Sequence, residues 1–176
     1  MKIFDFTEAE PLIAFFEANK DNIIGHNLNR LDMQFWPEIG WPVNSDEPVV
    51  LELDNCFVEI NYLVPSDIEI IVGTKEEISQ NKDVADIINI RNLVVDYYAE
   101  EFERGVKKEL IENCKITGIE IERFSEAFEC NGATGEERPE GGDYFSTIRL
   151  QLDSGISLCF CGADSLFDGY IDVWCE

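Results

Sequence analysis

The sequence predicts an α+β protein of two tandemly repeated units, each a helix followed by an antiparallel β-meander, joined by a central helical segment. Three observations predict it. Residues 23–35 (IIGHNLNRLDMQF) and 116–128 (ITGIEIERFSEAF) align without a gap, with identities at Ile23/Ile116, Gly25/Gly118, Arg30/Arg123 and Phe35/Phe128. Two later echoes follow, LELDN at 51–55 with LQLDS at 150–154, and Ile68-Glu69-Ile70 with Ile171-Asp172-Val173. Between them, apolar residues from Val84 to Leu110 recur mostly at helical spacing. Internal repetition governs the architecture wherever it occurs. The units are expected at 1–73 and 113–176, with the connecting helical segment at 74–112, forming one compact body.

The elements follow in order. Thr7 and Glu10 read as a capping box that opens a helix running to about Lys20, with Leu12, Phe15 and Phe16 as its apolar stripe. Residues 23–35 read as one long strand, because Leu31, Met33 and Phe35 alternate with Arg30, Asp32 and Gln34. Trp36, Trp41 and three prolines mark a loop over 37–48. Val49, Leu51 and Leu53 then alternate with acids, Asp54-Asn55 turns the chain, and Val58, Ile60 and Tyr62 return as a hairpin strand. Pro65-Ser66-Asp67 turns again into 68–72.

The second unit repeats this plan. A strand over 115–128 leads to a glycine-bearing loop, 130–143. The hairpin pivots on Asp153-Ser154-Gly155, and Asp168-Gly169 turns into Tyr170–Trp174. The copies align at an offset of 93 in the first motif and 99 in the second, with a further one-residue slip after the hairpin turn. Independent convergence of two short meanders is the alternative to duplication.

Charge narrows the partners. The 176-residue chain holds 13 basic and 37 acidic side chains, a net charge of −24. The acid is not a tail: residues 1–88 carry 5 basic and 18 acidic groups, and residues 89–176 carry 8 and 19. Stretches 31–74 and 150–176 contain no Lys or Arg. Such a field repels nucleic acid and anionic membrane and speeds encounter with basic partners. Hydrophobic content of 45% is ample for a packed core, so the acidity does not signal disorder. The start, MKIFDFTEAEP, is expected to hold no signal peptide. Six cysteines are then expected as reduced thiols in the cytosol.

Chemistry is sparse. His26 is the sole histidine, so any Ser-His or Cys-His mechanism rests on it alone. Asp164, Asp168 and Asp172 miss the spacing of a calcium loop, and Asp168-Gly169 reads as a hairpin turn. Cys159 and Cys161 lack the spacing of a zinc or redox pair. No cofactor or metal is expected, and the chain reads as a binder, not an enzyme. A paired-carboxylate hydrolase and a general acidic interaction module or nucleic-acid mimic are the alternatives.

The Leu150-x-Leu152-Asp153-x-Gly155 hairpin, the closing Asp168-Gly169-Tyr170-Ile171-Asp172-Val173-Trp174 and the acid-rich loops together resemble bacterial immunity proteins, the cytosolic partners that neutralise polymorphic or contact-dependent inhibition toxins. The resemblance implies occlusion of a basic, nuclease-type toxin cleft. The partner surface is then expected on Glu38, Trp41, Asp46 and Glu47 in the first unit, and on Glu136, Glu137, Glu140 and Asp143 in the second. Asp164 and Asp168 extend it.

Overall fold

Among the described residues, nine antiparallel strands form a single sheet with one long helix, so the protein is mainly β and not the α+β pair of helix-plus-meander units expected from sequence. The computed structural model describes residues 2–32, 35–36, 41–42, 49–64, 67–78, 108–129, 137–163 and 170–176. The first half contributes β1 (Lys2–Phe6), β2 (Asn27–Asp32), β5 (Val49–Leu53), β6 (Phe57–Val64) and β7 (Asp67–Gly73). A small ribbon, β3 (Phe35–Trp36) with β4 (Trp41–Pro42), interrupts them. The second half contributes β8 (Cys114–Phe124), β11 (Tyr144–Leu152), β12 (Ser157–Ala163) and β13 (Tyr170–Cys175), again interrupted by a ribbon, β9 (Phe128–Glu129) with β10 (Glu137–Arg138).

The sheet order is β1-β7-β6-β5-β2-β8-β11-β12-β13. Among the described residues one helix exceeds a single turn, α1 (Ala9–Ile23); α2 (Lys75–Ile78) and α3 (Lys108–Ile111) are short. Most of the helical segment expected between 74 and 112 lies outside the described residues.

The units do not stand apart because β2 and β8 pair with each other, Asn27 opposite Lys115 and Leu28 opposite Cys114. What repeats is the pairing pattern on either side of that seam, β2-β5-β6-β7 and β8-β11-β12-β13. The registers give the correspondence directly. Leu28 faces Leu53 as Ile116 faces Leu152, and Leu31 faces Leu51 as Ile119 faces Leu150. In both copies one extra residue bulges between the first two pairs. Residue 28 therefore matches 116, an offset of 88, not the 93 of the sequence alignment. The later echoes keep their places, Leu51 with Leu150 and Ile70 with Val173. The one-residue slip is the longer second turn, where Leu152 N–H donates to Ile156 O and Leu53 N–H donates to Cys56 O.

The seam shows the same two-fold relation. Gly25 N–H donates to Ile116 O at 2.7 Å, and Asn113 N–H donates to Leu28 O at 2.6 Å. Both donors have positive φ, +89° and +60°. Only Gly, and to a lesser degree Asn or Asp, adopts that region cheaply. A Cβ on Gly25 meets nothing within 4 Å, so its cost is conformational alone. Gly25→Ala is expected to lower stability by about 1 kcal/mol, whereas Asn113→Gly is expected to be neutral or slightly stabilising. Urea unfolding of the two variants checks both.

One core spans the molecule. Leu12 of α1, Leu28, Leu51, Ile60, Ile70, Ile148 and Phe160 belong to a single buried cluster. Strands β12 and β13 approach β6, so the sheet curls across this core instead of lying flat. Phe4 and Phe6 of β1, a strand the sequence reading did not identify, pack against Phe15 with ring centroids 4.6 and 5.2 Å apart. Glu59 is also buried, 2% exposed, opposite Val50 and Ile71 on the neighbouring strands.

Candidate functional site

The two loops expected to bind a partner arise at matching places, between β2 and β5 in one half and between β8 and β11 in the other. Each loop region contains one of the ribbons. In the first, Trp36 pairs with Trp41; in the second, Glu129 pairs with Glu137. Trp41 and Glu137 are thus strand positions. Glu140 is exposed in the turn before β11. Glu38, Asp46, Glu47, Glu136, Asp164 and Asp168 lie outside the described residues.

Asp143 has an internal task. The backbone N–H of Ala9 donates to Asp143 O at 2.9 Å, and that of Glu10 donates to Asp143 Oδ2 at 2.8 Å. The first-turn donors of α1 are therefore satisfied by the other half of the chain, 133 residues away. This corrects the expected Thr7–Glu10 capping box: the N-cap residue is Glu8, in extended conformation and without a side-chain cap bond. Arg123 closes the arrangement, with Nε at 2.9 Å and Nη2 at 2.5 Å from Asp143 Oδ1, and Nη1 at 3.2 Å from Glu10 Oε2. Desolvation alone raises the Asp143 carboxyl, but Arg123 and the Glu10 N–H outweigh it and hold the group below its ordinary value.

The other end of α1 is tied by His26. Its Nδ1 lies 2.5 Å from Asp54 Oδ1, and its Nε2 lies 3.2 Å from Asp21 O and 3.3 Å from Asn55 Nδ2. Both ring nitrogens are engaged in joining the helix end to the β5–β6 turn. Asp54 also brackets the seam, its N–H donating to Asn27 O and its Oδ2 accepting from Asn27 N–H. Asp153 does the same with Lys115. The Leu-x-Leu-Asp echo is thus a structural clasp used twice. Nearby Cys56 is pushed up to about 11 by burial and by Asp54, so its thiol stays protonated and poorly nucleophilic at neutral pH.

The His26 hydrogen bond is the main cause that holds the Asp54 carboxyl below its ordinary 3.8. A depressed folded-state value stabilises the fold above the ordinary value, and that contribution disappears as pH falls through the folded value. His26→Gln is therefore expected to move the acid-unfolding midpoint to higher pH. An acid titration followed by circular dichroism checks it.

The exposed charge is one-sided. Lys20, Arg30, Arg123 and Arg149 are each bound to at least one carboxylate. Among the described residues, Asp5, Glu8, Asp21, Glu120, Glu126 and Glu140 are exposed and make no ion pair, against Lys2 and Lys115 on the basic side.

A groove opens between α1 and β8 at the centre of the sheet. It has a volume of about 250 Å³ and is lined by Ile13, Phe16 and Ile24 from the helix side and Ile119 and Ile121 from the strand, with Glu17, Lys20 and Glu120 on its rim. It exists because β2 pairs β8 only at Cys114 and Lys115, so α1 runs beside the remainder of β8. The strand shows this in its burial. Of its residues 117–124 none is fully buried, whereas neighbouring β11 is buried at most positions. The expected helix already holds Ile13, Phe16 and Lys20; what the sequence does not reveal is that β8, far along the chain, lies beside it, because such a contact leaves no periodic trace.

Among the described residues, no three His, Cys, Asp or Glu side chains are arranged to hold a metal ion, and no helix is long and apolar enough to cross a membrane. Neither known protein families, nor curated proteins, nor solved structures yield a match to this chain.

Proposed function

We propose that this chain is a cytosolic immunity-type protein that binds and neutralises a basic protein, a cognate toxin domain of nuclease character. The observation that carries the reading is the one-sided charge, −24 over the whole chain. Among the described residues, Lys20, Arg30, Arg123 and Arg149 are already bound to acids, while Asp5, Glu8, Asp21, Glu120, Glu126 and Glu140 stand exposed without an ion pair against two such lysines, Lys2 and Lys115. An acidic surface of this kind takes the place of the phosphates that a nuclease cleft is built to receive. It also raises the rate of encounter with that cleft.

The two ribbons occupy equivalent points of the two halves, within the stretches of sequence where the candidate acids are concentrated, which supports the reading. Co-expression with the product of the adjoining gene tests it. That product is expected to arrest growth when expressed alone and to be harmless with this chain, the two proteins co-eluting at low salt. An adjoining product that is harmless alone, or toxic regardless of this chain, contradicts the proposal.

A further inference from the structure

The geometry points to the α1–β8 groove as the docking site for a basic, extended segment of a protein partner, one that inserts apolar side chains between its cations. This inference rests on the reading of the chain as a binder of basic proteins and names where part of that partner sits.

Three observations carry it. The groove floor is apolar, formed by Ile13, Phe16, Ile119 and Ile121, and Ile24 at its end is 37% exposed. At about 250 Å³ it lies below the ~300–1,000 Å³ of small-molecule pockets. It suits one or two side chains of a larger partner. Its rim is acidic: Glu120 makes no ion pair among the described residues, and Lys20 is held by Glu17 at 3.5 Å. Asp21, next to Lys20 in the last turn of α1, is exposed without an ion pair, whereas Glu122 further along β8 is held by Arg149 at 3.0 Å.

The third observation is the strand itself. Among the described residues no strand continues the ladder on this side of β8 beyond the seam, where Ile116 N–H donates to His26 O. An extended segment laid in the groove lies between α1 and a strand whose backbone is paired there by another strand on its β11 side only. A second copy of this chain is disfavoured as occupant by its own charge.

Fluorescence anisotropy with two labelled synthetic peptides tests the site on the full chain. One alternates Lys and Leu; the other has Ser in place of Leu and the same charge. The Lys–Leu peptide is expected to bind at least about tenfold tighter, as burial of even one Leu side chain allows. Ile121→Ser is expected to remove that advantage, and Glu120→Gln to weaken both peptides, with the circular dichroism of each variant unchanged. Equal binding of the two peptides, or an advantage untouched by Ile121→Ser, overturns the groove while leaving the charge-driven reading in place. Failure of every cationic peptide to bind at low salt contradicts both.

Discussion

Phe160→Ala is expected to cost about 3–5 kcal/mol and to lower the stability of both halves together. Phe160 is fully buried in β12, opposite Ile148 on β11 and Val173 on β13. All three belong to the cluster that also holds Leu12, Leu51 and Ile70 of the first half. A cavity there removes contacts that no other side chain can supply without moving a strand. Natural domains have ~5–15 kcal/mol in total, so the loss is a large fraction. Because the core is continuous and β2 pairs β8, unfolding is expected as one transition by far-ultraviolet dichroism and by Trp fluorescence alike. Two separated transitions would show that the halves are independent bodies.

Asp143→Ala is expected to cost about 2 kcal/mol, near the upper end for loss of a helix cap. The side chain accepts from Glu10 N–H and from two nitrogens of Arg123, so its removal strips Glu10 N–H of this acceptor and leaves Arg123 with Glu10 alone. The Ala9 bond to the Asp143 carbonyl survives the substitution, which sets the ceiling. Sequence reading placed Asp143 on the partner surface. Its engagement inside the fold predicts instead that the main effect is on stability, with hydrogen exchange at the start of α1 accelerated. Glu140→Ala, three residues away and exposed, is expected to leave stability unchanged.

The hairpins were legible because their side chains alternate and their turns carry Asp-Asn or Asp-Ser-Gly, features that act locally. The two later echoes also kept their register, since Leu51, Leu53, Leu150 and Leu152 face one shared core. The first motif misled. Its identity at Gly25 and Gly118 pairs a left-handed junction residue with a strand residue. A Cβ at Gly118 would collide with the side chain of Gln151.

The true counterpart of Gly25 is Asn113, a different residue meeting the same backbone demand. Identity of letters and identity of role diverged there, which shifted the match by five residues. The seam between the halves was invisible for a related reason. It depends on backbone hydrogen bonds and on Asp54 and Asp153 as clasps, none of which leaves a periodic trace. The acidic character of the surface was plain from composition, but not which acids are already engaged. Asp143 and Asp54 are internal ties; Glu120 and Glu140 are exposed without ion pairs among the described residues.

The salt dependence of association tests the central claim most directly, that unpaired acid on this surface draws in a basic protein. The rate constant for binding the adjoining gene's product, followed by stopped-flow fluorescence, would be compared between ~100 mM and ~1 M salt, where the Debye length falls from ~10 Å to ~3 Å. The account predicts a fall of about tenfold or more with a much smaller change in dissociation rate. An association rate that stays flat over that range contradicts it.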